Sequence, residues 1–367
     1  MNMSASPVHV PAHRLAGFYF FYYATVGAFM PYWSPYLEAR GFNGVQMGVA
    51  FALMGLMRTF VPMAWGTLAD RTGKRMVYIR YAAAASLITF MGIPYAPTIF
   101  WVGVLMMAYT LFWHALLPQF EAVALGHLAA RGGDYPRVRL WGSVGFVASV
   151  LGLGWALDRV GIIQLPWLVG AMWVGMAVMP WFVPDTAVTH HADAPHGSIW
   201  DMLRRPEVRV LLLVCLCSQL SFAPYYNFFI LFLERHGHTR TVAGVLWSIA
   251  VVAEIGVFML VGRAIANFGA RRLMVIAMGA TALRWVMIGF GVESWTLLIL
   301  AQLSHAITFG AYHALAMHYE QRLFPAWQQG RAQALYNAAA YGVGGSIGGL
   351  VSGVMREGVQ RQQIPSE

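Results

Sequence analysis

The sequence predicts an all-α membrane protein built from two pseudo-symmetric helical bundles, and three observations predict it. Hydrophobic residues make up 59% of the chain and charged residues 11%, against roughly 25% charged residues in an ordinary soluble protein. Apolar runs of about twenty residues recur along the chain, and each is long enough to cross a hydrocarbon core of roughly 30 Å as a helix. The stretch around Gly66–Arg75 (GTLADRTGKR) returns 196 positions later without a gap, which indicates two copies of one architecture.

Eleven apolar runs are predicted as spanning helices, six before a polar segment and five after it. The first six are Leu15–Leu37, Gly44–Trp65, Met76–Ile93, Pro97–Leu125, Leu140–Leu157 and Ile162–Val183. The other five are Val208–Leu233, Val242–Ile265, Leu273–Gly291, Trp295–Leu323 and Gln333–Met355. We therefore expect an N-terminal six-helix bundle over residues 1–183, a cytoplasmic linker over 184–207, and a five-helix bundle with a polar tail over 208–367.

The repeat aligns glycines of the two halves with each other and a charged residue of one half with a charged residue of the other. It places Gly41 on Gly237 and Gly73 on Gly269. It also places Arg58 on Glu254, eight residues before the glycine that opens each basic loop. Eight residues of helix are about 12 Å. Two opposite charges are therefore predicted at matching depth inside the membrane.

The basic residues predict the orientation. The net charge is +9, and the basic residues lie mostly in the loops between apolar runs, which is typical of membrane topology and not of a nucleic-acid surface. The loops on the N-terminal side carry about four times as many basic residues as the opposite loops. We expect a multi-pass protein of the inner (plasma) membrane with a cytoplasmic N-terminus and, after eleven helices, an extracytoplasmic tail.

Several stretches resemble the major facilitator superfamily. GTLADRTGKR resembles the loop between the second and third helices of that superfamily, and Gly262–Arg272 resembles its degenerate second copy, in which Ala266 replaces Asp70. RVRLWGSVGF (Arg137–Phe146) is similar to proton-coupled sugar permeases and to the phenylpropionate-permease branch. WSIAVVAEI, LRWVMIG and the His305–His313 region are most similar to that second branch.

The resemblance implies a fold, a mechanism and a gating loop. It implies two six-helix bundles around a central cavity that opens alternately to each side, so the chain departs from the plan by lacking a twelfth helix. It implies that the loop between the second and third helices takes part in gating. The gating-loop residues are then Gly66, Asp70, Arg71, Gly73 and Arg75.

Four residues of the second half are predicted to couple protons: Glu254, Arg284, His305 and His313. A charge in mid-membrane is costly unless it is paired or hydrated. Burial favours a protonated carboxylate, whereas a nearby arginine favours the charged form, and Arg284 is the expected partner of Glu254. Lactose-permease-type symporters carry Glu, Arg and His on their eighth, ninth and tenth helices, a pattern that three of these residues match. A structural ion pair and packing histidines remain the alternatives.

The substrate is predicted to contact residues of both halves. In the first half Arg58 is expected to pair with Glu121, near His114 on the same helix, either as a fixed pair or as a carboxylate-binding group. Aromatic residues at cavity-lining positions suit a ring-shaped ligand, although membrane helices are rich in them anyway. The complete set of predicted substrate-binding residues is Tyr22, Arg58, His114, Glu121, Tyr225, Tyr226, Trp247 and Phe309.

The predicted function is secondary transport, most simply proton-coupled symport of a small organic solute such as a phenylpropionate-like aromatic acid. A sugar or nucleoside symporter, a metabolite or drug exporter, and a non-transporting sensor are the alternatives. No nucleophile–base pair or nucleotide motif suggests an enzyme. No cofactor, metal or nucleic acid is expected. Cys215 and Cys217 point to different helix faces, so they do not predict a metal site. The expected partners are the solute, protons and lipid, with the chain as a monomer.

Overall fold

The computed structural model describes residues 12–129, 134–185, 199–325 and 328–363, and these form helices joined by short turns. The first half contains α1 (Ala12–Ala39), α2 (Gly44–Thr72), α3 (Arg75–Met91), α4 (Ile99–Ala129), α5 (Tyr135–Val160) and α6 (Leu165–Val178). A short helix, α7 (Ile199–Arg204), precedes the second half. That half contains α8 (Pro206–Arg235), α9 (Arg240–Phe268), α10 (Ala270–Phe290), α11 (Trp295–His305), α12 (Tyr312–Leu323), α13 (Gln329–Asn337) and α14 (Gly345–Gln363).

A helix therefore occupies each of the eleven predicted apolar runs. Among the described residues, nine helical stretches are long and apolar enough to cross a membrane. The predicted first and tenth runs, in α1 and in α11–α12, are helical but are not among these nine. The all-α membrane fold is confirmed, while the count of eleven spans stays a prediction. Part of the predicted linker lies outside the described residues, and Ile199–Arg204 forms α7.

The internal repeat is visible in the backbone. Gly41 and its counterpart Gly237 have φ values of 85° and 80°, and Gly73 and its counterpart Gly269 have values of 68° and 78°. Residues with a side chain rarely adopt this left-handed region, whereas glycine does so at little cost. The repeated glycines therefore make the same two turns in each half, one before the second helix of the repeat and one before the third.

Two long helices of the second half contain π-helical segments. Ala306–Ala311 separates α11 from α12, and Ala338–Gly344 separates α13 from α14. Because a π segment widens one turn of the helix, it rotates the residues that follow relative to those before it, and such segments are frequent at functional sites. Both segments lie within apolar runs that the sequence predicts as continuous helices.

The contacts divide the described chain into two compact units. Unit one comprises residues 12–29, 60–129, 134–149 and 165–185. In it α3 packs against α4 and α6. Its core is a cluster of aromatic rings, in which Trp173 stacks on Phe90 with ring centroids 5.7 Å apart and Phe120 stacks on Phe18 at 3.6 Å.

Unit two comprises residues 30–59, 150–164, 199–325 and 328–363, so the end of α1, the start of α2 and the end of α5 pack with the helices of the second half. Glu38 of α1 forms ion pairs with Arg235 (3.3 Å) and with Arg356 of α14. Asp158 of α5 accepts hydrogen bonds from the backbone N–H groups of Arg240 and Thr241 at 3.0 and 2.9 Å. These charges join the helix ends on one face of the unit. The division into residues 1–183 and 208–367 stays a prediction.

Glycines allow the start of α2 to approach α14 closely. A Cβ placed on Gly48 would lie 2.9 Å from the carbonyl oxygen of Gly349, and one placed on Gly44 would lie 2.9 Å from the backbone nitrogen of Glu357. The hydroxyl of Ser346 donates to the carbonyl of Ala52 at 2.8 Å. Small residues permit such backbone-to-backbone packing between membrane helices.

Candidate functional site

The carboxylate of Glu254 lies beside the imidazole of His305. Glu254 Oε2 is 3.7 Å from His305 Nε2, and 4% of the His305 side chain and 17% of the Glu254 side chain are exposed. The two helices approach at Gly310, because a Cβ there would lie 2.8 Å from Glu254 Cγ. Gly310 thus allows the two helices to approach beside the titratable pair, and a larger residue there would displace the Glu254 side chain.

Arg284 is fully buried next to this pair. Its Nε donates to the carbonyl of Ala301 at 2.9 Å, and its Nη2 donates to Gln302 Oε1 at 3.4 Å. Its guanidinium carbon lies 4.3 Å from the ring centre of Tyr225 and 4.9 Å from that of Trp285. Aromatic faces stabilise a desolvated cation, and here they surround most of the guanidinium group.

The aromatic residues predicted on α8 and α9 pack around this arginine. Tyr225 stacks on Trp247 with ring centroids 4.7 Å apart, and its hydroxyl donates to Gln302 Oε1 at 2.9 Å. Tyr226 lies 5.9 Å from the Trp247 ring and 6.2 Å from the Phe309 ring. The predicted aromatic residues of unit two therefore belong to one cluster.

Three rings of the tenth predicted span stack in a column. The His305 and Phe309 rings are 5.1 Å apart and inclined by 3°, and the Phe309 and His313 rings are 6.1 Å apart and inclined by 6°. His313 Nδ1 lies 3.0 Å from the hydroxyl of Tyr336. The column connects the Glu254–His305 pair to Tyr336 of α13.

Arg58 lies at the far end of this cluster. Its guanidinium carbon is 4.1 Å from the ring centre of Tyr341, in the second π-helical segment. Glu121, in unit one, accepts a hydrogen bond from the Tyr135 hydroxyl at 3.1 Å and lies 3.9 Å from Arg139 Nε. Arg58 belongs to unit two and Glu121 to unit one, and the expected Arg58–Glu121 pairing stays a prediction.

The remaining predicted residues of unit one lie among aromatic side chains. Tyr22 is buried and stacks on Phe18 with ring centroids 6.0 Å apart. His114 is half-buried and stacks on Trp113 at 5.4 Å. These contacts are compatible with packing roles and with ligand-binding roles, so the assignment of both residues to substrate binding stays a prediction.

Comparison with known proteins identifies the family. The MFS_1 like family matches residues 12–364. The chain belongs to this family. It is 29% identical to the probable 3-phenylpropionic acid transporter of Escherichia coli (strain K12), over 90% of this chain and 86% of that protein. It is also 29% identical to the maltose permease of Geobacillus stearothermophilus, over 93% of this chain and 86% of that protein.

The fold of this MFS_1 like chain matches solved transporter structures. A crystal structure of the nucleoside transporter NupG superposes with a TM-score of 0.81 at 17% identity, covering 94% of this chain and 90% of that one. The resemblance of the sequence to the major facilitator superfamily, and the fold that it implied, are therefore confirmed. A chain of this family is a multi-pass membrane transport protein.

The expected partner of Glu254 is corrected by the structure. We predicted Arg284, but Glu254 Oε2 lies 3.7 Å from His305 Nε2, while Arg284 donates hydrogen bonds to the carbonyl of Ala301 and to Gln302 Oε1. Both residues lie in one cluster, as predicted from their helices. Sequence spacing gives the helix and depth of a residue, but it does not give the rotation that decides which neighbour its side chain reaches.

The gating loop is partly described. Gly73 adopts a positive φ of 68° between α2 and α3, and a Cβ on Gly66 would lie 3.2 Å from Gln119 Nε2. Arg71 is exposed in the last turn of α2, and Arg75 is half-buried at the first residue of α3. The side chain of Asp70 lies outside what the structure describes. The gating role of these residues stays a prediction.

Four residues that contact the predicted site residues are not among those predicted from the sequence: Arg139, Gln302, Tyr336 and Tyr341. Arg139 lies inside the Arg137–Phe146 block that carried the family resemblance, and this block was the available signal. Gln302 falls one turn before His305 on the same helix, at a spacing that places it on the same side. Tyr336 and Tyr341 had no such signal, because the π-helical segment that follows Tyr336 and contains Tyr341 is not encoded in a periodic pattern.

No group of three or more metal-ligating side chains occurs within the ranges that the structure describes. His190, His191 and His196 of the predicted linker lie outside those ranges.

Proposed function

We propose that this transporter couples inward movement of protons to uptake of a small organic solute. It spans the inner membrane, and its N-terminus lies in the cytoplasm. The observation that supports it is the Glu254–His305 pair, a carboxylate 3.7 Å from an imidazole inside a membrane helix cluster. Ionisable residues at this depth are expensive and usually serve ion or proton movement. The chain acts as a monomer that alternates between two states.

Glu254 is the proton carrier of this proposal. In its protonated form it carries no charge, so the cluster can accept substrate without a competing anion. When substrate leaves, the proton leaves Glu254 as well, and the carboxylate is then stabilised by the neighbouring His305 and by the guanidinium of Arg284. His313 and the Tyr336 hydroxyl of α13, 3.0 Å apart, continue the polar path.

An aromatic monocarboxylate of the 3-phenylpropionate type is the proposed substrate. The aromatic rings of Tyr225, Trp247 and Phe309 offer stacking faces, and Arg58 is an exposed cation on the face of Tyr341. The likeness to a probable 3-phenylpropionic acid transporter supports this substrate class. The equal identity to a maltose permease makes a sugar the second candidate, and a nucleoside is a third, supported by matches to nucleoside transporters.

Membrane vesicles that carry the protein test this proposal. Labelled 3-phenylpropionate, maltose and uridine are supplied with and without an imposed proton gradient. We expect one solute to accumulate only with the gradient. Glu254→Gln, which has the shape of the protonated residue, should exchange that solute across the membrane yet fail to accumulate it.

Glu293→Gln is the matched control, since Glu293 is exposed in the turn between α10 and α11. It should accumulate solute like the unmodified protein. Accumulation by Glu254→Gln would refute proton coupling through this residue. Uptake that is indifferent to the gradient in the unmodified protein would refute symport.

A further inference from the structure

Arg284 and its neighbour Gln302 form a second polar feature of unit two. Arg284 and Gln302 are both fully buried, and each has a nitrogen without a hydrogen-bond partner within the described chain: Arg284 Nη1 and Gln302 Nε2. An unpaired buried donor costs free energy, and natural proteins seldom retain one without a function. Two such donors in adjacent groups indicate a site for something that accepts hydrogen bonds.

The orientation of Gln302 is fixed by its neighbours. Its Oε1 accepts one hydrogen bond from the Tyr225 hydroxyl at 2.9 Å and another from Arg284 Nη2 at 3.4 Å. Two donors on one atom identify that atom as the amide oxygen, so the amide nitrogen is turned the other way. Gln302 therefore presents its N–H groups beside the unpaired nitrogen of Arg284.

The charge of Arg284 indicates which acceptor fits. Within the described part of the chain, no ion pair includes Arg284. Aromatic faces compensate part of this charge, but they do not neutralise it. A hydroxyl group would satisfy the hydrogen bonds and leave the charge uncompensated, whereas a carboxylate would do both, and arginine binds carboxylates with two parallel hydrogen bonds.

We propose that Arg284 and Gln302 form the carboxylate subsite of the substrate, with Gln302 as a specificity-determining residue. This inference rests on the proposed function and narrows it to organic monoanions. The substrate carboxylate accepts hydrogen bonds from Arg284 Nη1 and Gln302 Nε2, and the rings of Phe222, Tyr225 and Trp285 around the guanidinium pack against the apolar part of the molecule. Arg58 then guides the anion toward this subsite instead of holding it.

Binding to the purified, full-length protein tests this subsite. The probes are 3-phenylpropionate and 3-phenylpropionamide, which have the same ring and chain length but differ in charge. We expect the unmodified protein to bind the carboxylate at least tenfold more tightly than the amide. Gln302→Glu removes the amide donor and gives Arg284 an internal anion, so it should lose this preference and bind the carboxylate at least tenfold more weakly.

Two further variants keep the result interpretable. Gln302→Met has a similar shape and no hydrogen-bond donor, so it should weaken carboxylate binding by about fivefold or more even if Gln302→Glu fails to fold. Gln119→Leu is the control, since Gln119 is a buried membrane glutamine of α4 that also has an unpartnered amide atom. It should keep the preference of the unmodified protein.

The subsite is refuted if the unmodified protein binds neither probe, binds both equally, or keeps its preference in Gln302→Met. The vesicle experiment separates this result from failure of the proposed function. Gradient-driven accumulation of a solute without any carboxylate preference would leave symport standing and remove the subsite. A preference for the carboxylate that depends on Gln302, without any effect of the proton gradient, would support the subsite and refute symport.

Discussion

Replacing Gly353 by alanine places a methyl carbon against the backbone of α2. The new Cβ would lie 2.7 Å from Gly48 Cα and 2.9 Å from Gly48 N, and closer still to the carbonyl oxygen of Gly44. Ordinary van der Waals contact begins near 3.4 Å, so the shortfall from Gly48 Cα is 3.4 − 2.7, or about 0.7 Å. All three neighbours are backbone atoms, which a rotamer change cannot move, so the contact between α2 and α14 must loosen.

Overpacking of this kind costs about 1–3 kcal/mol. Because the cost applies only where α2 and α14 touch, it shifts the balance toward states in which they are apart, by a factor of about 5 to 150. Alanine is also a better helix former than glycine, by roughly 1 kcal/mol. Gly358→Ala controls for that gain, since Gly358 lies on the same helix and a Cβ there meets nothing within 4 Å.

The labelling rate of a cysteine at position 346 measures the shift. Ser346 is buried on α14, and its hydroxyl contacts the carbonyl of Ala52 on α2. With Cys215 and Cys217 replaced by serine, Ser346→Cys should react slowly with a maleimide in the purified protein. Adding Gly353→Ala should speed the reaction at least fivefold, while adding Gly358→Ala should not. Equal rates in the two variants would show that the α2–α14 contact does not gate access.

Three further predictions concern other parts of the molecule. Tyr341→Leu removes the ring under Arg58 and should raise the KM for an anionic substrate about threefold to tenfold. Tyr341→Phe keeps the ring and should leave the KM unchanged. Equal uptake kinetics in both variants would count against this role. Gly73→Ala forces a side chain into a φ of 68° and should destabilise the protein by about 1 kcal/mol, whereas Gly103→Ala, in open space on α4, should not lower the thermal unfolding temperature. Asp158→Asn retains only one good acceptor for the two backbone N–H groups at the start of α9. It should lower the free energy of unfolding by about 1 kcal/mol, which the thermal unfolding temperature reports. An unchanged unfolding temperature would refute the contribution of the Asp158 carboxylate to this helix start.

The features that repeat along the chain were predictable from sequence. Apolar runs give the helices because the membrane interior requires each span to satisfy its own backbone hydrogen bonds. The 196-residue repeat gave the equivalence of Gly73 and Gly269, and the structure shows the same backbone conformation at both. Each of these signals is local, because it depends on a residue and its immediate chain neighbours.

The partners of the buried charges could not be predicted in the same way. Arg284 and Glu254 were placed on adjacent helices at plausible depths, yet Glu254 lies beside His305 and Arg284 donates to Ala301 and Gln302. A shift of one residue along a helix changes the direction of the side chain by roughly 100°, since a turn contains 3.6 residues. Hydropathy fixes the rotation of a helix poorly in a membrane protein, because residues that face lipid and residues that face the core are both apolar.

The π-helical segments show where this limit bears on function. His305, Phe309 and His313 are spaced at i, i+4 and i+8, and in a regular α-helix each would be displaced by about 40° around the axis from the one before. Their rings are nonetheless parallel within a few degrees, and the segment between His305 and Tyr312, Ala306–Ala311, is π-helical. The same segment brings Gly310 against Glu254. The column of rings and the approach of Gly310 to Glu254 therefore coincide with one backbone irregularity, and the apolar pattern of the sequence does not predict where that irregularity falls.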